Sequence, residues 1–101
     1  MKIINKPVHI FENGKIKYQG YVIGVYGAYY EIQLLSYVTG IETDIRKFKA
    51  TKDVVIYPTY RAFFTAWAEQ ELVDGRLGKY TVDQMVEYHM KNLPDEYKEI
   101  I

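Results

Sequence analysis

The hydrophobic pattern of the chain changes its period once, near residue 58, and this change limits the fold more than any other feature. Before it, apolar and polar residues alternate with the period of two that is typical of strands. After it, apolar residues recur every three or four positions, as they do in helices. No Ser-, Gly- or Pro-rich linker separates the parts. The pattern therefore predicts an α+β fold in a single domain over 1–101, with a sheet part at 1–57, a helical hairpin packed on it at 58–93 and a tail turn at 94–101.

The sheet part is expected to contain five antiparallel strands. Asn13-Gly14 lies between two apolar runs and is the favoured pair for a type I′ hairpin turn. The second strand, residues 15–26, contains Gly20 and Gly24, and such glycines often mark a bend or a bulge. Further strands are expected at 29–38, 42–49 and 53–57. A long bending strand among short connections favours a small SH3-like or Sm-like barrel, with a curved, open sheet as the alternative.

Two packed C-terminal helices are expected after the sheet. The first follows Thr59 and stops at Gly75, a typical residue just beyond a helix end. The second has a capping-box pattern, Thr81 with Gln84, at its start, and Pro94 ends it. We expect an aromatic face of the first helix to pack on the sheet: Phe63, Phe64 and Trp67. The apolar stripe predicted for the second helix is Val82, Met85, Val86, His89, Met90 and Leu93.

Composition indicates a globular, cytoplasmic protein. The chain has 101 residues and no cysteine, so a disulfide framework or a thiolate metal site is excluded. We expect neither a signal peptide nor a membrane span. Residues 1–56 hold eight Lys/Arg and five Asp/Glu (8 − 5 = +3), and residues 57–101 hold five and eight (5 − 8 = −3). Neither part has the strongly basic stripe of a typical nucleic-acid-binding domain.

Recognisable catalytic groups are scarce in the sequence. The two histidines, His9 and His89, fall in different predicted elements, and Ser36 is the only serine and has no nucleophile motif around it. No phosphate-binding glycine motif occurs. His89 lies on an apolar helix stripe, which favours a structural role. We therefore expect a protein that is not an enzyme and that has no catalytic residue, cofactor or metal ion.

Tyrosine is concentrated in the segment from Gly20 to Tyr37, where five tyrosines occur in eighteen residues. Neighbouring residues of a strand point to opposite faces, so Tyr29 and Tyr30 cannot both enter a core. The same alternation predicts that residues 20, 22, 24 and 26 share one face. Exposed tyrosines are enriched at protein interfaces. We expect a small, non-catalytic regulatory protein, such as an inhibitor or adaptor of the phage or mobile-element accessory kind, that binds a protein partner through its tyrosine-rich sheet face: Tyr21, Tyr26, Tyr29 and Tyr37.

The basic strand at residues 45–52 supports an alternative. Cations beside an aromatic side chain can follow a phosphate backbone while the ring stacks on a base. This nucleic-acid interpretation uses Tyr26 or Tyr29 as a further stacking partner and requires one continuous face for Arg46, Lys47, Phe48, Lys49 and Lys52. Lysines on an edge strand also occur simply as a guard against edge-to-edge pairing. Homodimer formation is a further possibility, either through the oppositely charged parts of the chain or through pairing of the exposed strand edge across a two-fold axis.

Overall fold

The computed structural model describes residues 3–94. These residues belong to two compact units, Met1–Tyr57 and Pro58–Ile101. The packing of the helices on the sheet stays a prediction. Most of the tail turn expected at 94–101 lies outside the described residues. No described helix has both the length and the apolar character needed to cross a membrane.

The first unit is one antiparallel sheet of five strands: β1 (Pro7–Glu12), β2 (Lys15–Tyr26), β3 (Tyr29–Leu35), β4 (Glu42–Lys49) and β5 (Val54–Ile56). Their order across the sheet is β4-β3-β2-β1-β5. The two outermost strands, β4 and β5, do not pair with each other, so the sheet is open. The prediction of a closed barrel is therefore wrong, and the open alternative is confirmed.

The first hairpin forms where the sequence predicts it. Asn13 and Gly14 both have positive φ, at 54° and 79°, as a type I′ turn requires. Glu12 then pairs with Lys15, and the register continues from Phe11 opposite Ile16. A second tight turn contains Gly27, with φ at 59°, and joins β2 to β3.

One face of the sheet carries the apolar core of this unit and is called the core face. Its buried members are Val8, Ile10, Val22, Ile32 and Leu34, and Tyr18, Tyr30 and Phe48 pack against them. Residues paired across neighbouring strands share a face. Accordingly, Ile32 of β3 lies between Val22 and Arg46, and Tyr30 lies opposite Phe48.

The sheet curls around its core face. Phe48 pairs with Tyr30 at one end of β3, whereas Gln19, the neighbour of Tyr18, pairs with Leu35 at the other end. In a flat sheet, Phe48 and Gln19 would be separated by about 17 Å along β3 and by about 9.5 Å across two strand spacings. Their backbones would then lie roughly 19 Å apart. The ring centroids of Tyr18 and Phe48 are nevertheless 5.8 Å apart. The core face is therefore concave, and the opposite face, called the outer face, is convex.

Gly20 is required where β2 passes close to β3. A Cβ added at Gly20 would lie 2.1 Å from the backbone oxygen of Gln33, a distance that no side chain permits. The glycine thus marks a close approach of two backbones, one of the roles expected for glycine within a strand.

The second unit consists of α1 (Tyr60–Val73) and α2 (Val82–Asn92). Thr59 caps α1 by accepting a hydrogen bond from the Ala62 backbone N–H, at 3.1 Å. At the other end, Gly75 N–H donates to Leu72 O and Arg76 N–H to Glu71 O, which is the Schellman pattern, and Gly75 has φ of 73°. The Arg76 guanidinium also binds the buried Glu71 carboxylate. The predicted helix stop at Gly75 is confirmed.

The capping box of α2 is also confirmed. The Gln84 N–H donates to Thr81 Oγ1 at 3.1 Å, and the Thr81 N–H donates to Gln84 Oε1 at 2.9 Å. The predicted apolar stripe is buried or half-buried along its whole length. Its His89 ring stacks on Phe64, with centroids 5.3 Å apart, and meets the Trp67 ring edge to face at 4.9 Å. Burial lowers the pKa of His89, which favours the neutral ring inside this aromatic cluster.

Candidate binding surface

A bulge in β2 determines which way Tyr26 points. The pairing of β2 with β3 shifts between Val22 and Gly24, because Val22 lies opposite Ile32 and Gly24 lies opposite Glu31. Ile23 is the extra residue. After Ile23 the alternation of side chains between the two faces is reversed. Gly24 and Tyr26 therefore lie on the outer face, while Gly20 and Val22 lie on the core face. The prediction that residues 20, 22, 24 and 26 share one face is therefore wrong for the last two positions.

Tyr26 folds back over Gly24 and contacts a lysine of β4. A Cβ added at Gly24 would lie 2.7 Å from Tyr26 Cε2, so the missing side chain makes room for the ring. Gly24, Glu31 and Lys47 lie opposite one another on three adjacent strands. From this row the Lys47 ammonium reaches over the Tyr26 ring, 4.9 Å from its centroid. This is the geometry of a cation–π contact, and Tyr26 remains 54% exposed.

Tyr29 lies beside Tyr26 on the outer face. It is paired with Tyr26 on β2 and with Lys49 on β4, and it is 47% exposed. Its neighbour Tyr30 points the other way and packs against the core. The expectation that these two tyrosines take opposite faces is confirmed. We call the group of Tyr26, Tyr29, Lys47 and Lys49 the tyrosine–lysine surface.

The other two tyrosines proposed for protein binding lie elsewhere. Tyr21 shares the outer face, but it is half-buried and its hydroxyl donates to Glu42 Oε1 at 2.6 Å. Tyr37 is half-buried in the turn after β3, at the opposite end of that strand from Tyr29. The structure therefore brings together Tyr26 and Tyr29 and leaves Tyr21 and Tyr37 outside the tyrosine–lysine surface.

The basic run divides between the two faces of the sheet. Arg46 and Phe48 lie on the core face, where the Arg46 Nη1 donates to the Tyr18 hydroxyl at 3.3 Å. The pKa of Arg46 is raised above its ordinary value, chiefly by its hydrogen bond to Asp44 and next by that to Tyr18. Lys47 and Lys49 lie on the outer face, and Lys52 lies in the turn before β5. The five residues therefore do not form the single continuous face that the nucleic-acid interpretation requires.

His9 is a buried polar residue of the outer face. It has 0% exposure in β1, and its Nδ1 lies 2.9 Å from the hydroxyl oxygen of Tyr57. Burial lowers the pKa of His9 to about 3, although a hydrogen bond with Gln19 acts in the opposite direction. The imidazole is therefore neutral near pH 7. Within residues 3–94, no group of three or more His, Asp or Glu side chains is arranged to hold a metal ion.

Sequence reasoning identified the members of the tyrosine–lysine surface but did not separate these four residues from the others. The protein-binding interpretation contained the tyrosines without the lysines, and the nucleic-acid interpretation added Arg46 and Phe48, which lie on the core face. The bulge that turns Tyr26 toward Lys47 has no clear local signal. Only Gly24 hinted at it, since glycine within a strand often marks a bulge.

Comparison with known proteins adds no identification. No family model, curated protein or solved structure matches the chain. The SH3-like or Sm-like assignment thus has no support from a structural neighbour.

Proposed function

We propose that this chain is a non-catalytic binding protein that recognises a partner protein through its tyrosine–lysine surface. It would act as an inhibitor or adaptor, of the kind that phages and mobile elements carry as accessory proteins. The observation that supports this is the pair of exposed, adjacent rings, Tyr26 and Tyr29, on the convex face of the sheet.

The chemistry of these side chains suits protein recognition. A tyrosine offers a large, rigid area with few torsions to restrict, and its hydroxyl tolerates both water and protein. The Tyr26 ring is held between the Gly24 backbone and the Lys47 side chain, so less conformational entropy is lost when a partner covers it. The two lysines add a positive charge that favours an acidic partner surface.

Site-specific photo-crosslinking tests this proposal. A photoreactive phenylalanine analogue at position 29 should capture a partner protein, whereas the same group at Tyr88, a 61% exposed tyrosine of α2, should not. The captured protein is then purified, and its affinity is measured by calorimetry. Tyr26→Ala with Tyr29→Ala should weaken binding about tenfold or more, as expected for central aromatic contacts. Equal capture at both positions, or unchanged affinity of the double variant, would contradict the proposal.

Nucleic-acid binding is the second candidate, with only Lys47 and Lys49 of the basic strand as its cations. It is favoured by one observation: Lys47 and Lys49 lie on the same face as Tyr26 and Tyr29, so two cations and two rings are adjacent. Two phosphate contacts on a single strand predict a slope of about −1.4 for log K against log salt. Titration of labelled single-stranded RNA and DNA at several salt concentrations measures this slope. Absence of binding at low salt would remove this candidate.

A further inference from the structure

The β4 strand forms an exposed edge of the sheet. It is the outermost strand beside β3, and seven of its eight residues are exposed, with Phe48 half-buried on the core face. No other strand within residues 3–94 pairs with its outer side. An edge of this kind is a template for an additional strand.

The register shows which backbone groups of β4 point outward. The Ala50 N–H donates to Ala28 O at 2.8 Å, so Ala28 and Ala50 form a hydrogen-bonded pair. Such pairs alternate along an antiparallel ladder. Consequently Arg46 and Phe48 direct their N–H and C=O groups toward β3. The backbone groups of Ile45, Lys47 and Lys49 point away from the sheet.

The same three residues carry their side chains on the outer face. Ile45 lies opposite Gln33, Lys47 opposite Glu31 and Lys49 opposite Tyr29. Ile45 is 56% exposed. Neither ammonium group forms an ion pair with another residue of the described part of the chain. The edge therefore presents outward backbone groups together with an aliphatic side chain and two cations in alternating positions.

We propose that the β4 edge binds an extended acidic segment of a partner protein as a sixth, antiparallel strand. In this arrangement alternate peptide side chains face Lys49, Lys47 and Ile45 in that order. From its N-terminus, the matching peptide has an acidic residue opposite Lys49, an acidic residue opposite Lys47 and an aliphatic residue opposite Ile45, with one residue of any type between each pair. Backbone hydrogen bonds would supply affinity and the alternating pockets specificity. This inference rests on the proposed function, because it names the chemical class of the partner.

Charge and register disfavour a second copy of the chain as the added strand. A two-fold axis through Lys47 would place that lysine opposite its own copy, and an axis through Arg46 would do the same for the arginine. Like charges directly opposite each other are destabilising. An axis through Ile45 would pair Lys47 with Thr43, inside the irregular stretch of β4 where register shifts between Ile45 and Glu42. An acidic segment avoids all three conflicts.

Fluorescence anisotropy with a labelled synthetic peptide tests the inference. The probe is a short peptide centred on Glu-Thr-Glu-Thr-Val, and two controls replace its glutamates by lysine or methylate the backbone nitrogens at its paired positions. We expect saturable binding of the first peptide and loss of about tenfold or more in affinity for each control. Equal binding of the methylated peptide would overturn the strand-addition inference.

Protein variants separate charge from backbone pairing. Lys47→Glu with Lys49→Glu should abolish peptide binding, while Lys79→Glu with Lys91→Glu makes the same change in net charge on the helical unit and should not. Lys47→Pro removes an outward N–H and leaves the β3 ladder intact, so it should bind more weakly than Lys47→Ala, which keeps that N–H. Thermal melts of all variants verify that each is folded. Equal losses for both glutamate pairs, or for proline and alanine, would overturn the inference.

The failure of this inference is distinguishable from failure of the proposed function. A crosslinked partner that still binds Lys47→Pro, but not Tyr26→Ala with Tyr29→Ala, would refute strand addition and leave the tyrosine–lysine surface standing. Specific peptide binding that survives the double tyrosine variant would support the edge and count against the tyrosines. Concentration-dependent dimerisation that is lost in Lys47→Pro would show that a second copy occupies the edge instead.

Discussion

Lowering the pH from 7 to 5 should destabilise the protein through the buried His9 imidazole. In the folded chain its pKa is lowered to about 3, chiefly because burial removes water from the charged ring. In the unfolded chain the ring is hydrated and titrates near its ordinary value of about 6.5. Between these two values the unfolded state binds one more proton than the folded state, so stability must fall as pH decreases. The contribution is complete above pH 6.5 and is lost progressively toward pH 3.

The size of the effect follows from the pKa difference. A shift from about 6.5 to about 3 corresponds to roughly 5 kcal/mol over the full range, at about 1.4 kcal/mol per pKa unit. Most of the range from pH 7 to pH 5 lies between these two pKa values. The free energy of unfolding should therefore fall by about 2 kcal/mol over this pH range. His89 acts in the same direction, because burial also lowers its pKa. Substitution of each histidine separates the contribution of His89 to the pH dependence from that of His9.

Urea unfolding followed by far-UV circular dichroism at pH 7 and pH 5 measures the loss. The test variant is His9→Asn, which removes the titrating ring and keeps a polar atom near the position of Nδ1, where Tyr57 bonds. Its pH-dependent loss should be about 2 kcal/mol smaller than that of the wild type. The matched control His89→Asn should keep the His9 contribution. If His9→Asn and wild type lose the same stability within about 0.5 kcal/mol, the argument from burial is refuted.

Three substitutions test the packing described above, each by urea unfolding. Gly20→Ala should cost about 3 kcal/mol or more, because its Cβ would meet the Gln33 backbone oxygen at 2.1 Å. Gly24→Ala should cost less than about 1 kcal/mol, since only the Tyr26 ring has to move, and a larger loss at 24 than at 20 would contradict this account. Trp67→Ala should cost about 3 kcal/mol through lost packing against His89, and an unchanged unfolding curve would indicate that this aromatic face is a binding surface.

Features set by a few neighbouring residues were predictable from the sequence. The Asn13-Gly14 turn, the Thr81 capping box and the Gly75 helix stop each depend on dihedral preferences and hydrogen bonds within a few positions. The bounds of β2 and β4 followed for the same reason, because alternation and turn residues delimit them. Local features of this kind can be predicted without any knowledge of the tertiary structure.

Barrel closure was not predictable, because it depends on whether two distant strands meet. A curled sheet and a closed barrel share the same strand lengths, glycines and turns. Only the pairing of β4 with β5 would distinguish them, and this pairing is not found. Alternation along each strand is identical in both cases, so it carries no information on closure.

The same reasoning explains why the candidate site was only half predicted. Strict alternation assigns every residue of a strand to a face, but one inserted residue exchanges the faces beyond it. At Ile23 this exchange carries Tyr26 from the core face to the outer face, where Lys47 and Tyr29 lie. In β4 the same alternation separates Lys47 and Lys49 from Arg46 and Phe48, which the nucleic-acid interpretation had placed on one face. The surface therefore depends on the bulge: without it, Tyr26 would lie on the core face, away from Lys47 and Tyr29.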